Sequence, residues 1–181
     1  MTSPILFLAL SLTSQARSAG PGWVEGTSRD NDFTFAMPGK AAERVTTQPA
    51  ANGPIEVLEY SCLSGDCQYR VEKSKLPIKL TDEKRVLALG GMRDSIARKT
   101  KLIEDRETTV AGWPARELTV EAPLRPGAGP SRIAMLILYD RDNLYQVRVF
   151  ALKPGTEPKD VRKFFDAFRP KVAGAGPKGK S

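Results

Sequence analysis

Residues 132–152 read RIAMLILYDRDNLYQVRVFAL, and this stretch decides the fold. Two apolar runs rich in β-branched and aromatic residues flank the polar residues 140–143. The pattern predicts two antiparallel strands, 132–139 and 144–152, joined by a tight turn. Because side chains alternate along a strand, each strand should direct one apolar row to a core. These rows are Ile133, Met135, Ile137 and Tyr139 in the first strand, and Tyr145, Val147 and Val149 in the second.

A second hairpin is predicted upstream, from strands 55–61 and 67–73. Cys62 and Cys67 flank the four residues Leu63-Ser64-Gly65-Asp66, which fit a hairpin loop. A loop of this length places the cysteines opposite each other, with Cβ atoms about 4.5–5.5 Å apart, near disulfide geometry. Zinc would need two further ligands, and a redox motif would have two intervening residues. We therefore predict a structural disulfide between the two, in an oxidising compartment.

The remaining elements extend the same plan. Further strands are predicted at 33–37, 44–47, 101–109 and 115–122, and helices begin near Asp82 and at Pro158. Hairpin-length connections imply an antiparallel sheet with two helices packed on it, an α+β fold. The apolar stripes of the helices recur at spacings of three and four and should face the core rather than form an aromatic ligand box. They are Val86, Leu89, Met92 and Ile96 in the first helix, and Val161, Phe164, Phe165 and Phe168 in the second.

The composition limits the chemistry. The 181 residues include two cysteines and no histidine, so Ser-His-Asp and Cys-His catalysis are excluded, and the commonest metal ligand is absent. The net charge of +7 is spread along the chain, without the basic runs and interleaved aromatic residues typical of nucleic-acid binding. We predict no catalytic site, no metal, no cofactor and no nucleic-acid partner.

The first residues resemble a secretory signal peptide. An apolar run, 5–12, is followed by small residues, and cleavage after Ala16 gives the best match. No Lys or Arg precedes the run, so a buried N-terminal strand or helix is the alternative. We predict a signal peptide at 1–16, a lead-in at 17–32, one domain at 33–170 and a disordered tail at 171–181. The mature protein would be periplasmic or extracellular, without a transmembrane segment.

Carboxylate pairs offer little acid–base chemistry. Glu117 and Glu121 lie four residues apart on one strand, which separates them by about 13 Å. Glycosidase pairs are about 5–9.5 Å apart. Asp140 and Asp142 fall in a turn, where aspartate is favoured for turn hydrogen bonds rather than calcium.

A polar surface is the better candidate site. We expect alternating polar residues of several strands to share one face of the sheet, which is either an ordinary solvated face or a binding surface. The residues are Gln68, Arg70, Glu72, Glu117, Thr119, Glu121, Gln146 and Arg148. Partner binding is predicted for Arg70, Glu72, Glu117, Glu121 and Arg148, joined by Trp113 in an exposed turn.

Four short motifs resemble the PsbP-like α/β/α sandwich, a fold of extrinsic photosystem proteins and of many exported bacterial proteins. They are Phe33-Thr34-Phe35-Ala36-Met37-Pro38, Gly112-Trp113-Pro114-Ala115-Arg116-Glu117, Asn143-Leu144-Tyr145-Gln146-Val147 and Phe164-Phe165-Asp166-Ala167-Phe168. The resemblance spans about residues 23–170 and implies an antiparallel sheet between helices with a non-catalytic accessory or binding role. It assigns no functional residues.

The sequence therefore predicts an exported accessory protein that binds another envelope protein or envelope component. Two alternatives stay open. One is a carrier of a small ligand or lipid between helix and sheet. The other is an enzyme with a histidine-free site built from carboxylates or hydroxyls, which would need a deep pocket with convergent polar groups.

Overall fold

The computed structural model describes residues 22–49, 53–140 and 142–171. The predicted signal peptide lies outside these residues, and so does the predicted tail after Lys171. The strands are β1 (Val24–Thr27), β2 (Phe33–Met37), β3 (Ala42–Gln48), β4 (Ile55–Ser64), β5 (Cys67–Lys75), β6 (Lys101–Val110), β7 (Trp113–Pro123), β8 (Pro130–Tyr139), β9 (Asn143–Ala151) and β10 (Arg169–Pro170). The helices are α1 (Asp82–Ala97) and α2 (Val161–Ala167).

Seven strands form one antiparallel sheet in the order β3-β4-β5-β9-β8-β7-β6. A second sheet has three strands in the order β1-β2-β10. The α+β class predicted from the hairpin spacing is confirmed, because sequential strands pair through short turns and both helices lie against the sheet.

Each face of the large sheet is covered by a different layer. The three-stranded sheet and α2 pack on one face, here the α2 face, where aromatic residues dominate the core. Helix α1 packs on β6, β7 and β8 of the other face, here the α1 face. The α2-face core includes edge-to-face contacts of Phe33 with Tyr60 and Tyr145, and of Tyr69 with Phe164.

The helix predictions are confirmed in part. Thr81 caps α1 by accepting a hydrogen bond from the Lys84 amide at 3.4 Å. Helix α2 begins at Val161 rather than Pro158, and its phenylalanines are buried, as the core interpretation required. In α1, Val86 of the predicted apolar stripe does not face the core, because it lies largely exposed.

The lead-in and the tip of the second hairpin differ from the predictions. Val24–Thr27 is not a lead-in but strand β1, paired with β2. In the hairpin, the strands continue to Ser64 and Cys67, leaving a two-residue turn with Gly65 at φ +56°. Glycine at the first central position suits a type II′ turn.

The shorter turn overturns the predicted disulfide. Cys62 now pairs with Tyr69, and Cys67 pairs with Ser64. The cysteines are therefore diagonal neighbours on the α2 face, where Cα atoms lie about 7–8 Å apart, too far for a bridge without backbone movement. Both are buried free thiols, and burial raises the pKa of the Cys62 thiol.

Candidate functional site

The eight predicted polar residues do not share one face. Glu117 is opposite Leu136, which is opposite Val147, and this row lies on the α2 face. Arg148 is opposite Met135, whose side chain belongs to the α1-face core. The prediction of a single polar surface is therefore wrong, because the eight residues divide between the two faces of the sheet. Gln68, Arg70, Glu72, Gln146 and Arg148 lie on the α1 face, and Glu117, Thr119 and Glu121 lie on the α2 face.

The α1-face group forms a compact ion-pair network over β4, β5 and β9. Arg70 Nη1 lies 3.5 Å from Glu59 and 3.3 Å from Glu72. Arg148 also pairs with Glu72, so this carboxylate bridges two arginines. We call Glu59, Arg70, Glu72, Arg148 and Phe150 the arginine patch.

The arginine patch is poorly solvated. Both guanidinium groups lie over the Phe150 ring, at 5.2 Å for Arg70 and 5.5 Å for Arg148. The Nε atoms of both arginines are buried without a hydrogen-bond partner. Burial lowers the pKa of Arg148, and the charge of Glu72 only partly offsets this effect. The network therefore holds cations that water does not fully stabilise.

Two members of the arginine patch were missed by the sequence analysis. Glu59 is on the α1 face because it pairs directly with Glu72 across the hairpin. Phe150 lies in the predicted strand 144–152 and continues the alternation of Gln146 and Arg148, so it shares their face. Counting alternate residues from Arg148 would have found Phe150, and the register of the β4–β5 hairpin would have found Glu59.

Exposed leucines border the arginine patch. Leu63 pairs with Gln68, which pairs with Phe150, so these three side chains form one row on the α1 face. Leu63 is 68% exposed, and Leu152 beyond the end of β9 is 41% exposed. An apolar rim thus adjoins the charged network.

The α2-face group forms a second network, here the hairpin patch of Arg106, Glu117, Glu121 and Arg132. Glu117 accepts hydrogen bonds from Arg106 at 2.5 Å and from Arg162 of α2 at 2.9 Å. Glu121 accepts hydrogen bonds from Lys101 at 3.0 Å and from Arg132 at 3.2 Å. These hydrogen bonds lower the pKa of Glu121, and the bond from Lys101 has the largest effect. The lowered pKa favours the ionised form of Glu121, whereas a general acid at neutral pH needs a raised pKa.

Trp113 is not in an exposed turn, as predicted, but half-buried beside α1. The Arg85 guanidinium lies over its ring at 4.6 Å. Arg85 Nη1 donates to the Leu80 carbonyl at 2.8 Å, and its Nη2 pairs with Asp82. Trp113 Nε1 and Arg85 Nε are both buried without a partner. This contact fixes the start of α1 near the tip of the β6–β7 hairpin.

A groove of about 460 Å³ lies between α1 and the β6–β7 hairpin. Its surface is mainly apolar, with two threonines and an Arg–Glu pair. The lining residues are Val86, Leu89, Glu107, Thr108, Thr109, Pro114, Ala115 and Arg116. Its volume falls within the range of about 300–1,000 Å³ that is usual for small-molecule sites.

The Asp140 turn has the predicted turn chemistry. One carboxylate oxygen accepts hydrogen bonds from the amides of Asp142 at 2.8 Å and Asn143 at 2.7 Å. The other accepts one from the Tyr145 hydroxyl at 3.0 Å. Across residues 22–49, 53–140 and 142–171, three or more His, Cys, Asp or Glu side chains nowhere converge as metal ligands would.

No family of known sequences matches the chain, and no curated protein matches it. Solved structures of similar fold include the following two. One is a protein from Bacteroides thetaiotaomicron, with a TM-score of 0.51 and 9% identity over 83% of this chain. This chain spans 49% of the length of that protein. At this identity the similarity describes the fold alone.

A second similar structure is cyanobacterial PsbP (CyanoP) from Synechocystis, a member of the family that the four motifs resemble. Its TM-score is 0.48 and its identity 13%, over 88% of this chain and 99% of that one.

Among the described residues, no helix combines the length and apolar character needed to cross a membrane.

Proposed function

We propose that this protein is a non-enzymatic, exported accessory protein of the cell envelope or periplasm that binds a protein partner through the arginine patch. The observation that carries the proposal is the position of the patch. Helix α1 packs on β6–β8, whereas the same face over β4 and β5 presents charged, aromatic and exposed apolar side chains. Arginine and aromatic residues are enriched among the side chains that dominate binding energy at interfaces.

The charges indicate the chemistry of the partner. Arg44 of β3 pairs with Glu59 in the sheet, so it lies on the same face and raises the basic residues to three against two glutamates. Leu63 and Leu152 supply apolar contact at the edge. The surface suits a protein segment that presents an apolar side chain flanked by carboxylates, because these would meet the leucines and the arginines together.

Photocrosslinking from an amino acid built into the chain tests this proposal. A photoreactive amino acid would replace Leu63 in the full chain, expressed in its native host. Val24 of β1 is the matched control, because it is also exposed and apolar but belongs to the small sheet on the other face. We expect one discrete protein adduct from position 63, none from position 24, and loss of the adduct when Phe150→Ser is added.

Equal adducts from both positions, or none from position 63, would contradict the proposed surface. Export is tested on the same preparation by fractionation and by the mass of the mature chain. Cleavage after Ala16 gives an N-terminus at Arg17 in the periplasmic or secreted fraction. An intact chain in the cytosol would contradict export and leave the surface to be judged by the adducts alone.

A further inference from the structure

The groove between α1 and the β6–β7 hairpin has an unfilled side. Val86 lines it and is nevertheless 54% exposed, although its spacing along the helix places it in the stripe of Leu89. Gly90 follows Val86 by four residues and precedes Arg93 by three, so the three lie on neighbouring positions of one helix surface. Arg93 reaches β6, where its Nε donates to Asp105 at 2.9 Å. Gly90 therefore lies between two α1 residues that face the hairpin.

Gly90 has no packing reason to be glycine. A Cβ atom built there, or on Gly91, would meet no heavy atom within 4 Å. Each glycine within a helix costs about 1 kcal/mol relative to alanine. Close packing of the chain against Gly90 is thus excluded, and the missing side chain leaves open space on the helix surface next to Val86, which lines the groove. Glycine elsewhere in proteins serves the close approach of a ligand to the backbone.

The polar groups of the groove lie at its sheet end. Arg116 donates to Asp105 from Nε at 2.5 Å and from Nη2 at 3.2 Å, while Glu107, on an 83% exposed side chain, is 3.7 Å from Nη2. Thr108 and Thr109 add hydroxyls to the lining. A ligand carboxylate can replace Glu107 on Arg116 with little loss, because an exposed ion pair of that length contributes little.

We infer that this groove binds a small amphipathic carboxylate. Its apolar body lies against Val86, Leu89 and the bare helix backbone at Gly90, and its carboxylate binds Arg116. An aliphatic and an aromatic acid share this chemistry. The site is separate from the arginine patch, so neither proposal depends on the other.

The test uses sodium decanoate, 1-decanol and naphthoate as probes of the full chain, followed by ¹H–¹⁵N NMR. Decanoate should shift the amides of residues 86–91 and 107–116 and leave those of β4 and β5 unchanged. Decanol, which has the same apolar chain without the charge, should bind about tenfold more weakly. Naphthoate distinguishes an aliphatic from an aromatic preference.

Two leucine substitutions separate groove filling from helix stabilisation. Gly90→Leu should fill the open space and weaken decanoate binding by about tenfold or more. Gly91→Leu makes the same change one residue further on, at an exposed position, and should leave binding unchanged. Thermal unfolding of both variants checks that the fold is kept.

Arg116→Gln provides a second variant that does not alter the helix. It should remove the preference for decanoate over decanol while decanol binding persists. Absence of localised shifts, equal binding by Gly90→Leu and the wild type, or an unchanged preference in Arg116→Gln would each overturn the inference.

Discussion

Glu72 in the arginine patch and Glu117 in the hairpin patch each bridge two arginines, and both carboxylate side chains are mostly covered, at 11% and 17% exposure. Their partners differ. Arg70 and Arg148 are 26% and 19% exposed, whereas Arg106 and Arg162 are 62% and 60% exposed. The same residue types therefore form a desolvated network on one face and a solvated one on the other. Loss of Glu72 would leave buried cations without a carboxylate partner, whereas loss of Glu117 would leave cations that water already stabilises.

The largest expected difference is in stability. Glu72→Gln should lower the free energy of unfolding by about 3 kcal/mol, because it leaves Arg148 buried without its carboxylate partner. Glu117→Gln is the matched control and should cost about 1 kcal/mol or less. Urea unfolding of both variants measures the difference. Equal losses would show that the two networks are energetically alike.

A double substitution sharpens the interpretation of that loss. Arg148→Met combined with Glu72→Leu removes the charges of this pair and keeps similar volumes, while Arg70 retains Glu59 as its partner. Replacing a buried ion pair by apolar residues is often neutral or stabilising, so the double variant should unfold within about 1 kcal/mol of the wild type. If it is as unstable as Glu72→Gln alone, packing rather than an unpaired charge explains the single loss. The same urea experiment measures it.

The smallest expected effect is on protonation in the hairpin patch. Because the folded-state pKa of Glu121 is lowered, its ion pairs contribute stability above the ordinary glutamate pKa. The contribution is lost as the pH falls through the lowered folded value. Carboxyl ¹³C NMR should give a Glu121 midpoint below the ordinary range, and Lys101→Met should raise it. An unchanged midpoint in Lys101→Met would contradict the dominant role of that hydrogen bond.

The sequence predicted the hairpins, the helices and the antiparallel sheet because each depends on local signals. Alternation shows which residues of one strand share a face, but not which face of the sheet that is. In β7 the residues Leu118 and Val120 point to α1, whereas Val71 of β5 and Val147 of β9 point to the other layer. Both faces are buried over part of their area, so the polar rows of these strands diverge. The proposed single surface failed for this reason.

The turn of the second hairpin was also predicted wrongly, although the sequence contains a signal for the correct turn. Gly65-Asp66 is a known two-residue hairpin sequence, and it would have placed Cys62 opposite Tyr69. The short strand β1 is harder to predict, because its four residues include a glycine and become ordered by pairing with β2. The groove could not be predicted, because it depends on where α1 crosses the β6–β7 hairpin.

Strand β8 is covered on both faces of the large sheet, and this affects how its backbone meets solvent. Every residue from Ile133 to Tyr139 is buried, because α1 covers one side of the strand and the aromatic layer covers the other. Water reaches its backbone amides only when at least one layer detaches from the sheet. Its amide hydrogens should therefore exchange with solvent more slowly than those of the edge strands β3 and β6.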